Sequence, residues 1–325
     1  MKPKVFIARP IPQEAIDIVA ERCDYRIWDK KEPIPRDLLL AQLADADGLV
    51  TFGGRVDREM LAHAPRLKVV SNISVGYNNF DLPEMKRRKV LGTHTPHVLD
   101  DTVADMVIAL MLAAARRITE LDAMVKAGQW QKGADFDLYG VDVHHATLGI
   151  IGMGRIGEAV AKRARFGFSM DVLYTNRRRR PDAEQAVGAT FVSLPELLRR
   201  ADFIVVLVPL TEETYHLIGE AQFAAMKDSA IFVNVSRGKT VDEEALYRAL
   251  SSGAIRAAGL DVFEREPVAP DNPLLRLKNV VTVPHIGSAT AKTRLEMAKA
   301  AARSVVAGVH GERPLYVVPE LQELL

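Results

Sequence analysis

Arg237, Glu266 and His285 are the residues of this sequence best suited to chemistry on a carbonyl. Arg237 follows the apolar run 231–235, Asp261 closes 257–260, and His285 comes after 280–283 and Pro284. Glu266 stands in Val262-Phe263-Glu264-Arg265-Glu266-Pro267, where Glu264 competes with it for one role. In an open α/β sheet ligands bind beyond the carboxyl ends of the strands, and polar residues at those ends are the candidates for a site. An arginine can fix a substrate carboxylate and polarise a keto oxygen. An acid such as a protonated histidine can deliver a proton to that oxygen as hydride reaches carbon. Together they suit reduction of a 2-keto acid. Ser74-Val75-Gly76, ending the run 67–73, offers further backbone N–H groups to an anion.

A hydride donor needs its own cradle, and Gly152-Met153-Gly154-Arg155-Ile156-Gly157 has the spacing for one. It follows the apolar strand 148–151 and opens a helix over 158–165, which is the context a dinucleotide loop requires. Gly152 permits the tight turn, Gly154 lets a pyrophosphate approach the backbone, and Gly157 lets helix and strand pack closely. The helix N-terminus adds unpaired N–H groups and partial positive charge. About 20 residues on, sites for NAD place an acid that accepts from the ribose hydroxyls. Here the chain has Tyr174-Thr175-Asn176 and then four arginines, Arg177 to Arg180. Asn176 is neutral, and guanidinium groups bind phosphate bidentately, so NADP(H) is expected, with NAD(H) possible. The competing reading is a solvated basic run or a nonspecific RNA patch.

Two series of alternating elements must position these residues. In the first hundred residues, 4–8, 25–28, 48–52, 67–73 and 90–93 read as strands, with helical spacing at 12–22, 35–44, 57–62 and 82–88. Fully apolar strands alternating with helices imply a parallel sheet covered on both faces. A pattern with no Gly or Pro from 101 to about 127 then predicts one long helix of about 40 Å, bridging two domains and supplying a dimer surface. The polar segment 128–145, dotted with Trp130, Phe136 and Tyr139, adds apolar area to that surface. From Thr147 a second series begins, with strands at 147–151, 171–174, 190–192, 203–208, 230–235, 257–262 and 280–283. Ser193-Leu194-Pro195-Glu196 reads as a capping box, 242–251 as a helix stopped by Gly253, and 289–306 as a final Ala-rich helix.

Composition narrows the classes. The chain has 325 residues, 48% hydrophobic and 26% charged, enough for two folded domains. Lys+Arg 43 against Asp+Glu 42 leaves +1, so no global field favours nucleic acid or an anionic membrane. Cys23 is the single cysteine and cannot form an internal disulfide. The apolar run at 5–8 is too short for a signal-peptide core, and that at 106–115 falls short of the ~18 residues of a membrane span. A soluble, cytoplasmic protein is expected. His144 and His145 are adjacent, point apart and have no third ligand near, so they read as structural and no metal is expected.

The chain resembles the D-isomer-specific 2-hydroxyacid dehydrogenase family over essentially its whole length. The resemblance is carried by Asn72-Ile73-Ser74-Val75-Gly76-Tyr77, Thr102-Val103-Ala104-Asp105, Gly152 to Gly157, Asn234-Val235-Ser236-Arg237-Gly238, Gly259 to Phe263 with Glu266-Pro267, and Pro284-His285-Ile286-Gly287. It implies that Arg237 binds the substrate carboxylate and carbonyl, with Ser74, Val75 and Gly76 on the substrate side. It implies that Glu266, which has the following proline where Glu264 does not, pairs with His285, the proton donor. Asp261 would meet the nicotinamide carboxamide, and Val235, Ser236, Arg237 and His285 would line the cofactor. Arg155, Ile156, Val208, Pro209 and Gly287 complete that side, with Asn176, Arg177 and Arg178 at the adenosine end. Where many relatives have Thr near the nicotinamide this chain has Val103, so one cofactor contact lacks its counterpart.

The implied architecture is α/β, two Rossmann-like doubly wound parallel-sheet domains with the cofactor domain inserted in the substrate domain. Residues 1–100 and 287–325 would bind substrate, 101–286 the dinucleotide, with the cleft at the two crossovers. Asp142-Val143-His144-His145 points to a branch that reduces glyoxylate, hydroxypyruvate and 2-ketogluconate to D-2-hydroxy acids as a homodimer. Alternatives within the family are a phosphoglycerate-type dehydrogenase and a dinucleotide-gated corepressor scaffold. The first would need extra cations near Gly53-Gly54-Arg55, where only Arg55 is offered. The second usually carries added recognition segments, which this chain lacks.

Overall fold

A computed structural model describes residues 1–133 and 138–325, so Phe136 lies outside the described residues. The elements run β1 (Lys4–Ile7), α1 (Gln13–Arg22), β2 (Asp24–Ile27), α2 (Arg36–Leu43), β3 (Gly48–Thr51), α3 (Arg58–His63), β4 (Val69–Asn72), α4 (Leu82–Arg88) and β5 (Leu91–Thr93). Next come α5 (Asp100–Ala115), α6 (Ile118–Lys126), β6 (Thr147–Ile151), α7 (Arg155–Phe168), β7 (Asp171–Thr175), α8 (Pro181–Val187), β8 (Thr190–Phe191), α9 (Leu194–Arg200) and β9 (Phe203–Val206). The last are α10 (Glu220–Ala224), β10 (Ile231–Asn234), α11 (Glu243–Ser252), β11 (Ala257–Leu260), β12 (Val280–Thr282) and α12 (Ala291–Val309). They form two compact units, Met1–Leu99 with Ala289–Leu325, and Asp100–Ser288.

The first unit is a parallel five-stranded sheet in the order β2-β1-β3-β4-β5. β3 and β4 are buried at every residue, which is why they read as unbroken runs rather than alternating ones. Asp57 and Asp81 cap α3 and α4, accepting from the N–H groups of Met60 (3.0 Å) and Glu84 (3.1 Å). α12 packs on β3 and β4, and the buried Ser71 hydroxyl donates to its Ala301 carbonyl at 2.8 Å. The order reverses between β1 and β3.

The second unit is a parallel seven-stranded sheet, β12-β11-β10-β9-β6-β7-β8, which reverses between β6 and β9. Ser193 and Asp242 cap α9 and α11, and Gly253 ends α11 in the left-handed region at φ +76°. α5 lies against β10, β11 and α7, its Asp101 and Asp105 held by Arg163. No helix among the described residues is long and apolar enough to cross a membrane.

Two expectations fail. The long helix is broken into α5 and α6 at Arg117, which is left-handed at φ +55°. The returning chain causes the break: Val141 N–H donates to the Ala115 carbonyl (2.9 Å), and Gly140 lies so close that a Cβ there would stand 2.4 Å from that oxygen. A continuing helix would need the same carbonyl. Nor do His144 and His145 point apart. His145 is left-handed at φ +61°, which turns the rings edge to face with their Nδ1 atoms 2.8 Å apart. Among the described residues no group of three or more His, Cys, Asp or Glu could hold a metal.

Candidate active site

At the end of β10 a buried asparagine builds the turn that carries Arg237. Asn234 Oδ1 accepts from Ser236 N (3.0 Å) and Ser236 Oγ (2.7 Å), and its Nδ2 donates to the Arg237 carbonyl (3.2 Å). Thr240 Oγ1 donates to the same carbonyl at 2.7 Å. Gly238 must be glycine, because a Cβ there would fall 1.8 Å from the Phe263 carbonyl carbon. Gly238, next to Arg237, thus rests directly on the loop that bears Glu266. Burial lowers the pKa of the Arg237 guanidinium, and the Glu266 charge opposes that shift.

Glu266 faces two ways. Its Oε1 accepts from Phe263 N (3.1 Å), and its Oε2 lies 2.7 Å from His285 Nδ1. Burial alone would push this carboxyl up. The His285 hydrogen bond and charge, the Phe263 N–H and the Arg237 charge outweigh burial and hold it below its ordinary value. Glu264 turns elsewhere, its Oε1 2.8 Å from His216 Nε2 while also accepting from Glu243 N (3.2 Å). The competition between the two glutamates is therefore settled by geometry, since only Glu266 meets the histidine.

His285 is left-handed at φ +53°, a region uncommon for residues other than glycine. Asp261 fixes the residues that follow the histidine. Its buried carboxylate accepts from Ile286 N (2.6 Å) and Gly287 N (2.9 Å), pinning the loop on both oxygens. Burial raises the Asp261 pKa, against which those two N–H groups pull. The resemblance implies a nicotinamide contact for Asp261; its carboxylate also holds the loop that follows His285. Val103, Val235 and the Asp261 carboxylate surround the place where Gly287 lacks a Cβ.

The glycine-rich loop sits at the β6/β9 reversal, where ligands of such sheets bind. Gly152, at φ +107°, lies against the backbone of Leu207 and Val208, and a Cβ on Gly157 would stand 2.7 Å from the Gly152 oxygen. Gly154 differs: its missing Cβ faces open space, and it starts α7 with no side-chain cap. The first N–H groups of α7, those of Arg155 and Ile156 among them, have no partner inside the helix. That open cradle fits a pyrophosphate. Pro209 carries on from the same wall, its carbonyl accepting from Thr214 Oγ1 at 2.6 Å.

After β7 the residues divide. Asn176 spends both ends of its amide on Met153, accepting from its N–H (2.8 Å) and donating to its carbonyl (3.1 Å). It braces the loop. Arg179 pairs with Glu184 (2.6 Å), and Arg180 donates to the Met153 carbonyl (3.1 Å). Arg177 and Arg178 remain exposed, Arg177 near enough to Glu213 to help hold that carboxyl down, after the larger effect of its Thr211 hydrogen bond.

In the first unit, the chain after β4 forms an amide cradle. The carbonyls of Ser74, Val75 and Gly76 are bound by Thr95 N (2.9 Å), His94 Nδ1 (2.8 Å) and Asn72 Nδ2 (3.0 Å). Ser74 N donates to the Asn72 carbonyl at 2.8 Å, so its amide is already used and the offer to an anion comes from Val75 and Gly76. Asn72 also accepts from Gly53 N (2.9 Å), a buried brace between neighbouring loops that sequence reasoning missed. A second correction concerns cations near Gly53-Gly54-Arg55. Arg55 Nε lies 3.5 Å from Asp57, while Arg9 and Arg294 both stand over the Phe52 ring. Arg55 is not the only cation there.

Residues 108–287 match the family model described as D-isomer specific 2-hydroxyacid dehydrogenase, NAD binding domain. The chain is 51% identical over 311 residues to glyoxylate/hydroxypyruvate reductase B of Yersinia pestis (strain Pestoides F), covering 96% of this chain and 95% of that one. Among solved structures, the TT0316 protein from Thermus thermophilus superposes with a TM-score of 0.91 at 40% identity, over 97% of this chain and 99% of that one. The NADPH-dependent glyoxylate/hydroxypyruvate reductase of Sinorhizobium meliloti, solved with NADP and malonate, superposes at 0.86 with 29% identity, over 99% of this chain and 98% of that one.

Proposed function

The chain belongs to the D-isomer-specific 2-hydroxyacid dehydrogenase family, and from that premise we propose that it reduces glyoxylate and hydroxypyruvate, with 2-ketogluconate as a longer substrate, at the expense of NADPH. It is an oxidoreductase whose second unit carries the family's NAD-binding domain. The observation that carries the reading is the 2.7 Å pair of Glu266 and His285 on a loop that Gly238, next to Arg237, abuts. A reduced nicotinamide dinucleotide supplies the hydride when bound.

The rest is done by the chain's own groups. Arg237 binds the keto acid and draws electron density toward its oxygen. In the first unit, the Val75 and Gly76 amides are donors for a carboxylate. His285 presents Nε2 to the keto oxygen and gives up its proton, while Glu266 on Nδ1 fixes the orientation of the ring. Arg155, Ile156 and Gly157 amides hold pyrophosphate. Arg177 and Arg178 meet a 2′-phosphate, which favours NADPH over NADH. Val235, Ser236, Val208, Pro209, Asp261 and Gly287 shape the nicotinamide side.

A second copy of the chain covers the exposed apolar side chains of Ile118, Val125, Trp130 and Tyr139, and the protein works in the cytoplasm. Loss of NADPH absorbance on adding glyoxylate, then hydroxypyruvate and 2-ketogluconate, tests the activity. Equal kcat/KM with NADPH and NADH would refute the cofactor preference. Sedimentation as a monomer at micromolar concentration would refute the dimer.

A further inference from the structure

The first unit has a reversal of its own, between β1 and β3, and at such a point an open α/β sheet offers a crevice to ligands. Arg9 follows β1, Phe52 follows β3, and Arg294 comes from α12. The Arg9 and Arg294 guanidinium carbons lie 4.5 Å and 4.8 Å from the centroid of the one Phe52 ring. Stacking on an aromatic face offsets part of a cation's desolvation but supplies no counter-charge. Among the described residues no carboxylate pairs with Arg9, which is exposed at the end of β1 with its guanidinium open to an added anion.

The same sheet edge places an anion-binding element alongside. β4 is the neighbour of β3, and Asn72 joins their two exits, its Oδ1 accepting from Gly53 N and its Nδ2 donating to the Gly76 carbonyl. We propose that Arg9, on the Phe52 platform and beside Arg294, forms a subsite for a second carboxylate, so that short 2-keto dicarboxylic acids are preferred over monocarboxylic acids of equal length. This rests on the reading that Val75 and Gly76 hold the keto acid's own carboxylate. One guanidinium without a counter-ion matches one added negative charge, and a flat carboxylate can meet its fork with two hydrogen bonds.

The test compares 2-oxopentanedioate with 2-oxopentanoate, which differ only in the distal carboxylate. The native enzyme should show a higher kcat/KM for the dicarboxylate, and Arg9→Gln should cut the ratio of the two by roughly tenfold to a hundredfold. The loss should fall on KM, because the distal group binds alike before and during hydride transfer. Arg9→Lys keeps the charge without the flat stack and should recover part of the ratio. An unchanged ratio in Arg9→Gln overturns the subsite. Calorimetric titration of glutarate into the cofactor-free native and Arg9→Gln proteins gives an independent reading. If the native protein reduces no keto acid, the proposed function fails, and weaker glutarate binding by Arg9→Gln still supports the subsite, whereas equal affinity overturns it.

Discussion

The chain uses the same five-residue pattern twice. Asn72-Ile73-Ser74-Val75-Gly76 leaves β4 in the first unit, and Asn234-Val235-Ser236-Arg237-Gly238 leaves β10 in the second. Both asparagines end a buried parallel strand and are buried themselves. They are wired differently. Asn234 turns its oxygen onto Ser236, two residues on, so its loop is tied to itself. Asn72 also closes its own loop through Nδ2 to the Gly76 carbonyl, but it turns its oxygen onto Gly53, so its loop is tied as well to the one beside it. The fourth position then separates their uses: Val75 offers only an amide, and Arg237 offers a guanidinium. A self-tied turn can hold a charged side chain to one geometry. A cross-tied one keeps two loops in register and leaves backbone N–H groups facing out.

The sharpest way to separate the two loops is to remove the chemistry that only one of them supports. His285→Ala should lower kcat about 10²–10⁴-fold at every pH, the usual contribution of a positioned general acid. Steady-state rates with glyoxylate measure it, and a loss below tenfold would mean that another group donates the proton. Asn234→Ala comes next. It leaves the Ser236 N–H without its acceptor, about 1–3 kcal/mol for a buried group left unpaired, while the Ser236 hydroxyl keeps Thr240 Oγ1 (3.1 Å), and it frees Arg237. Urea unfolding should show the instability, and kcat should fall with it. Asn72→Ala should destabilise by a similar amount in urea yet act on KM more than on kcat, because no charged group is released. Equal kcat losses in the two variants would erase the contrast.

Charge gives a finer test. Glu266 is held below the ordinary carboxylate value of about 4.5, so it stays ionised through neutral pH and is lost only as pH falls through that lowered value. Glu266→Gln removes that ionisation, so the loss of rate as pH falls through the lowered Glu266 value should disappear, with NADPH binding little altered. A pH–rate profile that overlays the parent's would show that the charge of this carboxylate plays no part in the rate. The smallest effect belongs to the first unit, where Arg87 and Arg88 hold Glu84 down to about 2 from 4.5. Its folded value is depressed, so its contribution is complete above 4.5 and fades as pH falls toward 2. Glu84→Gln should flatten the pH dependence of urea stability in that window and leave pH 7 kinetics alone.

Much of the fold was legible because buried parallel strands are continuous apolar runs, and β3, β4, β9 and β10 are of that kind. The caps were legible too, since Ser193 and Asp242 act on N–H groups within their own turn. α8 was hidden behind the four arginines, its proline standing in the first turn rather than breaking anything. Within the site, the residue types at the strand ends were readable, and so was the glycine spacing, because each depends on neighbours a few positions away.

What only the tertiary structure decided has a common cause, a partner distant in sequence. The break at Arg117 is imposed by Val141, the occupation of Asp261 by Ile286 and Gly287, and the choice of Glu266 over Glu264 by where His285 and His216 arrive. Asn176, expected among the cofactor residues, braces Met153 with both ends of its amide. Arg9, Phe52 and Arg294 are far apart along the chain and meet only because β1 and β3 are neighbours with α12 packed beside them. A sequence states which groups are present and how short turns close; which two groups share a hydrogen bond across a sheet edge is set when the strands pair, and that ordering is not written in any local spacing.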